Sequence, residues 1–418
     1  MTVSVTVPGV GGSVVTLATT GTANQFMSQT VANLLAAAQA AGTLATQNFA
    51  GGAVPPPSLI PGDVNELTVT IPGALSFTMP AGYQALTLGD GSSTTVTGNS
   101  GLAVIAGAAT LTYTGAAGTQ TVTGAGTSDV VLPAGSTSFI TLGSGNDTII
   151  SGGSGTLAGG GGNNYISVAS APGGTSNWVI SDGTDTVVAG AGQTTVAAYG
   201  AGASIEGGSG SLVVGGSHTG NTTIDAASGS STIWGGQANL VNGGSGSVLF
   251  IGLGNSVTTM NGASGPATIY GSAGDNLTYN NASGSGSALM AAFGGNETLN
   301  AAGSNVAVTL SAGSSNTTLI GGSANDMLIG GHGSDSIITG AGSDTVNIYS
   351  GVSGGTNIIA DFTTADQLFL TGYGTTEAAK AVAGAVTSGS STTITLSDST
   401  KITFQGITSL TGYHISSF

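Results

Sequence analysis

Residues 321–347 read Gly-Gly-Ser-Ala-Asn-Asp-Met-Leu-Ile, Gly-Gly-His-Gly-Ser-Asp-Ser-Ile-Ile, Thr-Gly-Ala-Gly-Ser-Asp-Thr-Val-Asn, three nine-residue units in strict register. Asp326, Asp335 and Asp344 recur at the sixth position, and Leu328, Ile337 and Val346 at the eighth. Glycine enters φ > 0 conformations without a Cβ clash, so the leading glycines mark tight turns. One large aliphatic residue between small ones describes a very short strand with a single inward side chain. No such unit buries its apolar residue alone, but stacked units do.

The spacing matches G-G-x-G-x-D-x-U-x, and here the chain resembles the RTX (repeats-in-toxin, haemolysin-type calcium-binding repeat) family of secreted bacterial proteins. The resemblance implies an all-β fold, a right-handed parallel β-roll or β-solenoid with two nonapeptides per turn. It also implies Ca2+ between turns, held by carboxylates and turn carbonyls, the hard oxygens this ion prefers. Carried over residue by residue, the metal positions are Asp326, Asp335 and Asp344 with Gly322, Gly331, Gly333 and Gly342. Asp326 and Asp344 lie one turn apart and form the better-placed pair. Asp335 faces the other side, between Thr317 one turn earlier and Ser353 one turn later, so its site lacks a second carboxylate. Aspartate is also a common turn former, which leaves a metal-free reading of the same residues open.

Composition agrees with a folded array. The chain has 418 residues, 76 of them Gly, with no Cys and no Arg, and Lys380 and Lys401 as its only basic residues apart from histidines. Its net charge of −16 is spread thinly, and a mean hydropathy of +0.33 argues against disorder. Without cysteine there is neither disulfide nor thiol chemistry. Without a basic patch, nucleic acid is a poor partner. No apolar run is long enough for a membrane span.

Toward the N-terminus the ligand fades before the repeat does. Residues 142–150 form a near-complete nonapeptide with Asp147, residues 159–167 carry Asn164 in the acidic position, and Asp185 follows. Val187, Val196, Ile205 and Val214 keep the nine-residue spacing, and between 215 and 305 the period loosens. About 15 turns of about 18 residues, stacked at ~4.8 Å, predict a rod of about 70 Å. Most of it should stand without metal. Thr2 to Val7 alternates as an edge strand. Thr22-Ala23-Asn24-Gln25 fits a capping box, opening a helix with Phe26, Met27, Val31, Leu34, Leu35 and Ala38 on one stripe and Gly42 as its stop. This segment, 1–65, ends in a Pro-rich linker and reads as a cap on the solenoid's open end or as an intermolecular contact. The solenoid proper is read as 66–350.

The third region, 351–418, resembles the segment that closes RTX arrays, with Asp361 and Asp366 as calcium ligands or turn caps. A β-hairpin is expected over Ser397 to Thr400. Residues 1–20 lack a positively charged stretch, so a Sec-type signal is not expected. The resemblance implies type I secretion through an uncleaved C-terminal signal, and hence an extracellular or cell-surface location.

Catalytic motifs do not emerge. There is no His-Glu-x-x-His, and His218, His332 and His414 are far apart. Gly351-Val352-Ser353-Gly354-Gly355 matches a nucleophile elbow, but its flanks are not strand and helix. Asp182 and Asp185 are the only close acidic pair in the central body, and a turn accounts for them better than a glycosidase groove. The expectation is a non-enzymatic, secreted, calcium-binding structural protein that assembles with itself into a surface layer, fibre or biofilm matrix. The alternatives are an adhesin that binds cell-surface polysaccharide through Tyr113, Tyr199, Trp234 or Tyr270, and an ice-binding solenoid built on Thr-x-Thr motifs.

Overall fold

Successive side chains of a strand point to opposite faces, so strands with one apolar residue in two bury one face and wet the other. The computed structural model describes residues 2–418 apart from 21, 201, 216–219, 315 and 352–354. His218, Ser353 and the centre of the elbow-like stretch lie outside the described residues. The chain is an all-β, right-handed parallel β-solenoid of about 17 turns, with two α-helices among the described residues. It divides into two compact units, Met1–Thr219 and Gly220–Phe418.

The first unit opens with β1 (Thr2–Pro8) and β2 (Val14–Thr20), an antiparallel hairpin, followed by α1 (Thr22–Ala40). β3 (Leu44–Asn48) then starts a first parallel sheet by pairing with β4 (Val64–Val69), and β5 (Gly73–Thr78) starts a second. Each turn adds one strand to each sheet. Inward residues stack in register: Leu67, Leu86, Val104, Val122, Ile140 and Leu157 in the first sheet, and Val96, Tyr113, Val130, Ile149 and Ile166 in the second. All are buried. The stack thus begins at Leu44, inside the segment expected to lie ahead of it, and continues past 350 through Gln367–Thr371 and His414–Ser417, so it extends at both ends beyond the span for which about 15 turns were expected.

α1 packs on the flank of this stack. Val31, Ala32 and Leu35 join Val5, Val7, Leu17, Ala85 and Ile105 in one buried cluster on the outer face of the first sheet. The expected single stripe is therefore split: Leu35 is 3% exposed, whereas Phe26 is 70% and Leu34 67% exposed. Asn24 donates to the carbonyls of Thr20 (3.2 Å) and Gly124 (2.7 Å), tying helix to solenoid. Gly42 ends the segment at φ 71, as expected.

In the second unit Ile233, Phe250, Ile269, Met290, Leu310 and Leu328 stack inward in the first sheet. Leu299, Leu319, Ile337 and Ile359 do so in the second. Strands stay in register where the sequence period loosens, because only turn length varies. At the C-terminus Val386–Ser388, Ser391–Thr395 and Lys401–Phe404 form an antiparallel meander, and the last of these pairs in parallel with Thr356–Ile359. His414–Ser417 pairs with Gln367–Thr371. An unforeseen helix, α2 (Glu377–Ala383), lies beside it and is fixed by Ala378 N–H donating to Ser417 Oγ at 3.0 Å.

Candidate calcium centre

A turn between short strands leaves its amides unpaired unless something accepts from them, and a carboxylate one turn away is placed to do so. Val308 N–H donates to Asp326 Oδ1 (2.9 Å), Asp326 N–H to Asp344 Oδ1 (2.8 Å) and Asp344 N–H to Asp366 Oδ1 (2.9 Å). One carboxylate per turn thus climbs this edge. Asp326 Oδ2 accepts from Gly322 N–H (2.6 Å) within its own turn, and Asp366 Oδ2 from Thr363 N–H (2.7 Å). Asp361 accepts from Thr339 N–H (2.7 Å) and Gly340 N–H (2.9 Å), which brings its carboxylate to the same edge.

On the opposite edge Asp335 accepts from Thr317 N–H and Gly331 N–H, both at 3.0 Å. Thr317 is its neighbour one turn earlier, as expected. One turn later the pairing of Ser336 with Ile358 puts Asn357 in the equivalent position, where Ser353 was expected, because the intervening turn is longer.

The first unit repeats the device. Ser128 N–H donates to Asp147 Oδ1 (2.6 Å), Asp147 N–H to Asn164 Oδ1 (2.9 Å) and Asn164 N–H to Asp185 Oδ1 (2.9 Å). Asn164 Nδ2 also reaches Asp185 Oδ1 at 2.9 Å, so an amide stands in for a cation on that oxygen.

Three buried carboxylate oxygens in these columns have no hydrogen-bond partner: Oδ2 of Asp344, Asp147 and Asp185. Burial pushes Asp335 and Asp344 up to about 6 and Asp147 up to about 7, and it raises Asp326 as well. Backbone N–H bonds offset this only in part. Asp326, Asp344 and Asp147 therefore lack counter-charge, in a chain whose only lysines are Lys380 and Lys401, while His332 offsets the burial of Asp335 only in part.

Carbonyl oxygens supply the remaining polarity. A Cβ at Gly331 would sit 1.9 Å from Gly313 O, one at Gly340 2.2 Å from Gly322 O, one at Gly322 2.4 Å from Ser304 O, and one at Gly342 2.5 Å from Ala324 O. Oxygens of one turn thus crowd the glycines of the next. Gly333 (φ 115), Gly340 (φ 93) and Gly342 (φ 139) also hold a backbone that side chains rarely adopt. Among the described residues no three of His, Cys, Asp and Glu converge on one point. A donor set of one or two carboxylates completed by carbonyls fits Ca2+, which accepts six to eight oxygens in flexible geometry.

Sequence reasoning missed Asp275 and Glu297. Asp275 Oδ1 accepts from Ser256 N–H (2.8 Å), and Oδ2 from Ser272 N–H (2.8 Å). Glu297, raised by burial, keeps Oε1 unpartnered. Asp275-Asn276-Leu277 does carry the Asp-x-apolar signal, but irregular turn lengths conceal its period.

The RTX calcium-binding nonapeptide repeat matches the chain in four copies, over residues 218–248 and 311–346. The second stretch holds Asp326, Asp335 and Asp344. The first lies where the nine-residue period loosens. No curated protein matches the chain. No helix among the described residues is long and apolar enough to cross a membrane. RTX nonapeptide repeats bind calcium, and proteins that carry them are generally secreted. The chain thus carries RTX calcium-binding nonapeptide repeats over these two stretches, within a parallel β-solenoid.

Proposed function

We propose that the chain is a secreted structural protein whose principal calcium site lies in the column of Asp326, Asp344 and Asp366, with Asp361 beside it. The observation that carries this is Asp344 Oδ2, buried and without a partner while carboxylates stand one turn away on either side. Ca2+ there would supply the missing positive charge and tie successive turns together. Asp335 offers a poorer site with Asn357, and Asp147 and Asp185 a further pair bridged by Asn164. The turn glycines Gly322, Gly331, Gly333 and Gly342 contribute room and carbonyl oxygens. The reading is non-catalytic, because these carboxylates accept backbone amides within the turns instead of facing each other across a groove.

Export through an uncleaved C-terminal signal within 351–418, and assembly into an extracellular layer, fibre or matrix, belong to the same reading. Segment 1–65 takes part through the exposed Phe26 and Leu34. Electron microscopy with and without calcium tests the assembly, and titration calorimetry on Asp326→Ala/Asp344→Ala tests the site. Ordered polymer that dissolves in chelator and loss of the tightest site are expected. Protein that stays monomeric in millimolar calcium rejects assembly, and unchanged stoichiometry rejects the assignment.

A further inference from the structure

The outer face of the first sheet in the second unit carries a pattern that the calcium columns do not use. Leu249, Thr268, Leu289, Thr309, Met327 and Thr345 succeed one another in register, one per turn, so a bulky apolar side chain alternates with threonine. Leu289 and Met327 are exposed, and between them a groove of about 480 Å3 lies over Thr309, lined by Thr268 and Thr345 and bordered at the calcium edge by Asn325, Asp326 and Ser343. The parallel column beside it includes Ile251, Tyr270 and Ile329. Neither column holds a charged residue over these strands, although the chain carries −16. Phe293, 68% exposed, packs edge-on against Tyr270 at 5.2 Å and extends the apolar surface.

The second sheet of the same unit also exposes Leu240, between Thr223 and Thr259, and Val257, but the alternation stops there: Thr259 is followed by Thr278, and the outward Asn242 and Asn261 are joined side chain to side chain (2.9 Å). The first unit repeats the alternation independently, as Thr121, Phe139, Thr156, Trp178, Thr195 and Val213.

We infer that this face of the second unit is the contact with a second copy of the chain, packed face to face about a two-fold axis. The inference rests on the assembly reading and adds to it a surface distinct from Phe26 and Leu34. An axis between the Leu289 and Thr309 turns sets Leu289 opposite the partner's Thr309, Met327 opposite the partner's Thr268, and Leu249 opposite the partner's Thr345. Each ridge then enters a gap, and the same patch serves both copies, as a closed two-fold contact requires. The first-sheet strands from Ser231–Trp234 to Gln367–Thr371 cover roughly 600 Å2 per copy, taking ~4.8 Å per strand and about 15 Å of width. The pair would bury about 1,200 Å2, which reaches the range of specific interfaces. No carboxylate on these columns is brought against another.

Sedimentation velocity of the full chain in millimolar calcium tests this. Wild type should run at twice the monomer mass or a multiple of it. Leu289→Glu and Leu289→Lys should each halve that mass with an unchanged β-rich circular-dichroism spectrum, and an equal mixture of the two should regain it. Thr259→Glu/Thr278→Glu, on the other sheet, should behave as wild type. Association that survives in both Leu289 variants overturns the face and leaves self-assembly standing. Loss in both without recovery on mixing also counts against the face. Monomeric wild type overturns this contact and the assembly reading together.

Discussion

At the scale of single residues, the carboxylates do two jobs that can be separated. Asp344 accepts the Asp326 amide through Oδ1 and leaves Oδ2 without a partner. Asn164 performs the first job alone in its own column. Asp344→Asn should therefore match or exceed wild-type stability in chelator, since a buried charge is removed and the acceptor kept. It should weaken the tightest calcium site roughly tenfold or more by calorimetry, because affinity follows ligand charge. Asp344→Ala should lose the acceptor as well and cost about 1–3 kcal/mol without metal. Glu66 shows the same desolvation away from any proposed metal site. It is buried on β4 with only the hydroxyls of Thr87 (2.7 Å) and Thr46 (3.3 Å), and burial raises it to about 7 from an ordinary 4.5. Residues 1–62, which include the hairpin and α1, hold no ionisable side chain to compensate. The folded state binds this proton more tightly than the unfolded chain, so stability should fall as pH rises from about 4.5 to about 7 and then level off. Glu66→Gln should remove that fall, gaining up to about 3 kcal/mol over wild type at pH 8 and nothing below pH 4, as read by denaturant titration in chelator. The spacing of Asp326 and Asp344 was legible in the sequence because a strict repeat numbers its own turns. Asp366 and Asn357 were not placed one turn on, since the turns that lead to them are longer than eighteen residues and spacing alone then misaligns the rungs.

Among the elements, α1 shows where pattern reading stops. A helix advances about 100° per residue, so adjacent Leu34 and Leu35 cannot both face one sheet. Its length and its end at Gly42 were readable from composition, but the face it buries depends on where β1, β2 and the first sheet leave room. Leu35→Ala should cost about 2–4 kcal/mol and release the helix to limited proteolysis, whereas Leu34→Ser should stay within about 0.5 kcal/mol of wild type. Thermal melts and cleavage rates of the two variants distinguish them. The C-terminal hairpin was legible from its alternation. α2 was not singled out, although Glu377-Ala-Ala-Lys-Ala-Val-Ala is made mostly of good helix formers. Its contact with Ser417 arises only once the last strand has docked.

For the whole molecule, the fold class was readable because every turn repeats one instruction, a glycine turn followed by an inward aliphatic residue. The solenoid runs longer than expected because β3 carries no nonapeptide and looks like part of a leader, and because Gln367–Thr371 and His414–Ser417 continue the first sheet within the segment read as its close. One consequence of the in-register stack is mechanical. The hydrogen bonds between turns run along the stacking direction, so tension applied along that direction loads them in series and the turns should peel off singly. Leu310, Leu328 and Val346 follow one another at intervals of 18 residues, so each event there should lengthen the chain by roughly 60 Å. Optical tweezers on the second unit should record a regular sawtooth whose force drops at these turns when calcium is removed while the step length stays fixed. A single long rip would contradict it. Such a protein would yield gradually under load, giving up one coil at a time and retaining the rest.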